Sequence, residues 1–169
     1  MTTNNSITIA QDSKQPLTVK RLGYGTMRLT GAGIYGEPPK RDEALDILRQ
    51  TKEAGINFLD TADYYGEDVT NRLIAEALYP YSDDLVICTK VGGARTPDKS
   101  WIPFNTPENL RTSIENNLRT LKLDQMALVH FRVWPGSDNF RDSMEAMFAM
   151  QQEGKILHVG VSNVNVEEL

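Results

Sequence analysis

A chain of 169 residues with 40% hydrophobic and 24% charged residues has the size and balance of one folded domain, which excludes a disordered segment. A net charge of -5 without any Lys/Arg cluster excludes a nucleic-acid surface, where a basic stripe supplies the affinity. The one cysteine, Cys88, cannot close an internal disulfide; the start is polar and no run is long enough to span a membrane, so a cytoplasmic location with no membrane partner is the expectation.

Residues 7–10 and 17–21 are β-prone runs about a polar turn, and segment 1–21 reads as an N-terminal hairpin that decorates the fold. Residues 22–27 follow as a strand, in which Gly23 and Gly25 let a ligand or another backbone come close. Gly31, Gly33 and Gly36 match a dinucleotide fingerprint, but Glu37-Pro38-Pro39 cannot open the helix it requires, so the stretch reads as a loop. A helix over 40–54 buries Ala44, Leu45 and Leu48, with Gly55 as its stop. The apolar run from Asn57 to Ala62 reads as a strand, with Phe58, Asp60 and Ala62 on one face and Leu59 and Thr61 on the other. An aspartate there needs a cation from elsewhere in the chain.

Val69, Leu73, Ile74, Ala77 and Leu78 mark a second helix that ends before Pro80, and 85–91 is a strand apolar on both faces until Lys90. Residues 92–105 read as a long loop carrying Trp101. Thr106 and Pro107 start a third helix as cap and first residue, with Leu110, Ile114, Leu118 and Leu121 inward. A strand over 126–131 ends near His130; a helix over 140–153 turns Met144, Met147 and Phe148 inward; 156–162 is a fifth strand; 165–169 begins another helix. Cys88 reads as a small buried hydrophobe, and no partner for His158 can be named.

Strand and helix alternate as in a parallel α/β protein, either an open doubly wound sheet or part of a (β/α)₈ barrel. The polar residues decide for the barrel. Asp60 with Tyr65 beyond it, then Lys90, His130 and Ser162-Asn163, all fall near strand C-terminal ends, which a barrel gathers on one rim. Lys90 shares the parity of Val86 and Cys88 and can be the cation that Asp60 needs. A tyrosine, with an unperturbed pKa of about 10, becomes a better proton donor beside an ammonium group. A nearby histidine can orient a carbonyl, and the hydride that side chains cannot supply implies a nicotinamide cofactor.

Asp60-Thr61-Ala62 with Tyr65-Gly66, Thr89-Lys90, His130 and Gly160-Val161-Ser162-Asn163 together resemble the aldo-keto reductase family, from about Leu22 to the last residue. The resemblance implies a (β/α)₈ TIM barrel, present here as an incomplete barrel of about five βα units, and NADPH-dependent reduction of small aldehydes or ketones. It implies Tyr65 as general acid, Asp60 and Lys90 as the pair that tunes it, and His130 as the residue that orients substrate. Gly25, Thr26, Asp60, Ser162 and Asn163 would border the cofactor. Trp101 and Trp134 stand as candidate walls of the substrate pocket, and no metal site is expected. Where many members have Asn-Glu this chain has Asn71-Arg72, and Trp134-Pro135-Gly136 replaces an aspartate-containing stretch. Members are about twice as long, so a fragment, a truncated reading frame and a product of gene decay stand as alternatives, with self-association through open sheet edges and poor cover for Phe58, Ala62, Val86 and Cys88 expected. The alternative reading is a truncated, catalytically incompetent or cofactor-sensing regulatory relative.

Overall fold

The computed structural model describes residues 5–168, so the first four residues of the 1–21 segment and Leu169 of the last expected helix lie outside the described residues. The elements run β1 (Ser6–Ile9), β2 (Leu17–Lys20), β3 (Tyr24–Gly25), α1 (Arg41–Glu53), β4 (Phe58–Asp60), α2 (Val69–Leu78), β5 (Val86–Arg95), β6 (Trp101–Phe104), α3 (Pro107–Leu121), β7 (Met126–Arg132), α4 (Phe140–Gln152) and β8 (Ile156–Ser162). Two 3₁₀ turns, Met27–Leu29 and Val166–Glu168, complete the chain. Strands β3, β4, β5, β7 and β8 form one sheet in that order, every pair along it parallel.

Strand parity sorts the side chains. Leu59, Ile87, Val91, Val129 and Phe131 face the helices and form one cluster with Leu48, Leu73, Ile74, Leu110, Ile114 and Met147. The alternate residues Asp60, Cys88, Lys90, Leu128 and His130 take the opposite, inward face. Helix α3 begins where the hydroxyl of Thr106 accepts the Asn109 N–H, with Pro107 supplying a preset φ at the first turn. Helix α1 stops at Gly55, whose φ of +76° suits a residue without a Cβ.

The β1–β2 hairpin lies under the N-terminal ends of the strands. Lys20 N–H donates to Asn57 Oδ1 at 2.7 Å, and the Asn57 amide donates to Thr18 O and Asp84 O, just before β4 and β5. Gln15 O lies 2.8 Å from His158 Nε2 in β8, the partner that the sequence left unnamed. The hairpin thus covers the inward face from below. Ala62, Val86 and Cys88 are buried, against the expectation of poor cover, and Phe58 is half-buried.

Other expectations need correction. The first parallel strand is only Tyr24–Gly25, because the Thr26 N–H and hydroxyl both turn to Asp60 O and the chain winds into a 3₁₀ turn. The expected loop 92–105 is instead an antiparallel hairpin, in which β5 runs on to Arg95 and pairs with β6. Its glycines and prolines suggested a loop, but Pro103 sits in a strand with one neighbour, where a missing N–H leaves no gap in the ladder. In α4 the buried residues are Ser143, Met147 and Met150, while Phe148 is exposed, so the inward stripe is rotated from the expected one.

Behind the rim, polar groups replace apolar ones. Thr61, Thr70, Asn71, Thr89 and Asn117 are fully buried and joined by hydrogen bonds. Thr61 donates to Asn71 Oδ1 (3.0 Å), Asn71 Nδ2 donates to Asn117 Oδ1 (2.9 Å) and to Thr120 Oγ1 (3.2 Å), and Thr89 donates to Asn117 Oδ1 (2.7 Å). Asn117 Nδ2 is satisfied by Ser113 O at 2.8 Å. The network joins β4 and β5 to α2 and α3 at the residues next to Asp60 and Lys90. Replacing Asn117 with Ala orphans two buried donors, at about 1–3 kcal/mol each. The expected destabilisation of the full-length protein is about 2–6 kcal/mol by urea unfolding, and a change below about 1 kcal/mol would show that the network carries no stability.

Candidate active site

Three side chains meet on the inward face because three strands pair in register. Asp60 pairs with Cys88, Lys90 with His130, and His130 with Gly160. Lys90 Nζ reaches both Asp60 oxygens, at 2.5 and 2.6 Å, and Thr61 O at 3.4 Å. It also lies 5.2 Å from the centre of the Tyr65 ring. Tyr65 is buried, and the turn that carries it is held by its N–H to Ala62 O and by Gly66 at a φ of +67°. The structure thus brings Asp60, Lys90 and Tyr65 together, with His130 on the strand beside them.

His130 depends on what is missing below it. A Cβ at Gly160 would lie 2.5 Å from His130 Cδ2 and 3.0 Å from Nε2, so only glycine leaves the ring its place. On its other side Nδ1 is 3.6 Å from the Cys88 sulfur. Burial, then the Lys90 ammonium, push the His130 pKa down, and Asp60 opposes them, so the ring is neutral at pH 7. Burial pushes the Cys88 thiol up to about 12, with Asp60 adding to the rise and Lys90 opposing it. For Lys90 burial favours the neutral amine, but the Asp60 carboxylate, joined by Tyr65, outweighs it and the pKa is raised. Lys90 is therefore a fixed cation.

The other predicted residues divide. Ser162 is half-buried and Asn163 exposed at the end of β8, and among the described residues neither side chain has a protein hydrogen-bond partner to displace. Gly25 is exposed, and a Cβ there would meet nothing within 4 Å, so its face is open to a ligand. Thr26 is fully buried, and its hydroxyl donates to Asp60 O at 3.0 Å, so it steadies the Asp60 backbone beside Gly25. Trp101 sits on β6, stacked by Arg95 at 4.0 Å and set edge-on to Tyr64. Trp134 donates to Gly92 O at 2.5 Å and, with Val133, Pro135, Phe140 and Asn163, lines a cavity of about 590 Å³.

Sequence reasoning missed Asp63. The residue keeps some exposure, but its Oδ1 is sealed from solvent without a hydrogen-bond partner, while Ser113 hydrogen-bonds the carboxyl group. Burial pushes its pKa up to about 7, partly offset by Ser113, with Asp68 adding to the rise. An unfolded aspartate titrates near 3.9. Between about pH 4 and pH 7 the folded form therefore holds a proton that the unfolded form has lost, and Asp63 makes stability fall as pH rises through that window. Asp63→Asn should flatten the fall and stabilise the protein at pH 8, as read by thermal melts at several pH values; an unchanged pH dependence would place the burden on other groups.

A profile described as the aldo/keto reductase family matches residues 21–169. Pyridoxine 4-dehydrogenase of Escherichia coli strain K12 is 44% identical over 153 residues, covering 87% of this chain and 54% of that protein. An aldo-keto reductase from Klebsiella pneumoniae, solved in complex with NADPH, is 26% identical with a TM-score of 0.70 over 89% of this chain and 48% of that one. The glycerol dehydrogenase of Gluconobacter oxydans superposes with a TM-score of 0.82 at 24% identity, over 97% of this chain and 50% of that one, which speaks for the fold alone. The chain spans about half the length of the curated relatives it matches. With five parallel strands of a (β/α)₈ barrel and the family profile over nearly its whole length, the chain belongs to the aldo/keto reductase family.

Proposed function

We propose that the full-length protein reduces a small aldehyde or ketone with NADPH, and that Tyr65 donates the proton to the carbonyl oxygen. The observation that carries this reading is Lys90 Nζ, held by both Asp60 oxygens and facing the Tyr65 ring at 5.2 Å. A cation beside the phenol favours the phenolate that remains once the proton has gone, and the Asp60 carboxylate keeps that cation charged and in place. His130, neutral and seated over Gly160, hydrogen-bonds the carbonyl oxygen and orients it. With Nδ1 set against the Cys88 sulfur at 3.6 Å, the tautomer that serves this role carries its proton on Nε2, the nitrogen that would donate to the carbonyl oxygen.

NADPH, when bound, would supply the hydride, and Tyr65 would give the carbonyl oxygen its proton. Ser162 and Asn163 would hold its carboxamide, and Gly25 leaves room beside it. Trp134 walls the substrate side. Because the 44% identical relative is named for pyridoxine, pyridoxine with NADP⁺ is the first pair to test, together with simple aromatic aldehydes and NADPH.

Tyr65→Phe keeps the ring and removes the proton donor. Steady-state reduction in the full-length protein should fall at least about a hundredfold, the scale of a lost general acid, with NADPH affinity little changed. Full activity in this variant would remove Tyr65 from the chemistry. A second test follows the charge around His130: Lys90→Met takes away a cation that lowers the His130 pKa and leaves Asp60, which raises it. The His130 ring, followed by NMR, should titrate below 6.5 in the unaltered protein and higher in Lys90→Met; no upward movement would mean that the two groups are not electrostatically coupled.

A further inference from the structure

Arg132 lies two residues beyond His130 on β7, hence on the same face and about 7 Å nearer the rim. Four other arginines, Arg41, Arg49, Arg72 and Arg111, each hold a carboxylate. Arg132 holds none among the described residues, although the chain carries a net charge of -5. Its guanidinium stands 5.3 Å from the Trp134 ring and 6.0 Å from the Trp101 ring, and its Nε is buried without a hydrogen-bond partner. The polar group beside it is the Tyr64 hydroxyl, whose pKa burial pushes up, so that phenol stays neutral and cannot balance the charge.

Arg95, which stacks on the same Trp101 ring, has a different occupation. Its terminal nitrogens donate to Ile34 O, Gly33 O and Lys99 O, which pins the β5–β6 hairpin to the loop before α1. Among the described residues Arg132 has no such set of acceptors. Opposite it on β5, Gly92 approaches with a φ of +102°, and a Cβ there would lie 2.9 Å from Arg132 O, so no side chain from that position can cover the guanidinium. Aromatic walls orient a guanidinium without neutralising it and exclude the water that would screen it.

We propose that Arg132 recognises an anionic group, a carboxylate in the first instance, on the far end of the carbonyl substrate, with Trp134 and Trp101 aligning the guanidinium. This rests on the reductase reading above, which puts the carbonyl at His130 and Tyr65. The spacing of about two strand residues between His130 and Arg132 suits a rigid aromatic aldehyde whose carboxylate lies across the ring from the carbonyl. A planar guanidinium then meets a planar carboxylate through paired hydrogen bonds.

The test compares the unaltered full-length protein with Arg132→Met and Arg132→Lys. Binding of 4-carboxybenzyl alcohol and of benzyl alcohol is read by calorimetry with NADP⁺ present, and kcat/KM is measured for 4-carboxybenzaldehyde and benzaldehyde. The unaltered protein should prefer the carboxylated member of each pair. Arg132→Met should lose at least about tenfold on that member and less than about twofold on the neutral one, the scale of one charge-assisted contact, while Arg132→Lys keeps part of the preference. An equal loss on both members would make Arg132 a clamp for the tryptophans and overturn the proposal, as would an unaltered protein with no preference. If neither aldehyde is reduced but the carboxylated alcohol still binds through Arg132, the reductase reading falls and the anion site stands.

Discussion

Taking the Lys90 ammonium out of water costs more than an exposed ion pair returns, since its side chain is only 15% exposed and that of Asp60 39%. The neighbouring structure reduces that cost by fixing both partners before they meet. Asp60 is placed by pairing with Gly25 on one side and Cys88 on the other, and its carbonyl receives two bonds from Thr26. Lys90 is placed by His130 in the next strand. Thr61 and Thr89, the residues adjoining the pair, are anchored through Asn71 and Asn117 to two helices. A buried, fully bonded network of this kind resists small shifts of register that a purely apolar contact would tolerate.

Much of this was legible from residue parity. A polar residue that interrupts an apolar strand near its C-terminal end, on the face shared with its inward neighbours, pointed to Asp60, Lys90 and His130, and all three share the inward face. Tyr65 followed from its distance beyond the strand. The hairpin from Gly92 to Phe104 was illegible because glycine and proline mark loops in composition, and only the pairing partner shows that Pro103 occupies a free edge. Asn71 and Asn117 were illegible because a polar residue in a helix reads as solvent-facing unless its bonding partners are known. The bond from the Thr26 hydroxyl to Asp60 O was illegible too, because it depends on a backbone turn that the sequence around Gly25 does not announce. Phe148 was placed inward by its helical spacing from Met144, and the packing of Ser143, Met147 and Met150 overrides it.

The two ends of the sheet serve different tasks. At the N-terminal end the β1–β2 hairpin bonds to Asn57 and His158 and closes the inward face from below. At the C-terminal end the β5–β6 hairpin, fastened by Arg95 to the Gly33–Ile34 carbonyls, presents Trp101 beside Tyr64 and leaves Trp134 against Gly92. The layer of Asp60, Lys90 and His130 is thus set by strand pairing, while what lies above it is set by loop-borne aromatics, which can vary without disturbing the pairing below.

The state of Cys88 has a practical consequence. It is the one thiol in these 169 residues, it is 1% exposed, and burial holds its pKa near 12. Maleimide and similar reagents attack the thiolate, so at neutral pH they should pass this site over. A cysteine introduced on the exposed face of α4, for instance at Phe148, would then be the reactive thiol of this segment. Dyes or spin labels could be attached there without first removing a native cysteine, and the distance from that helix to a second label could report how the rim moves as substrate arrives.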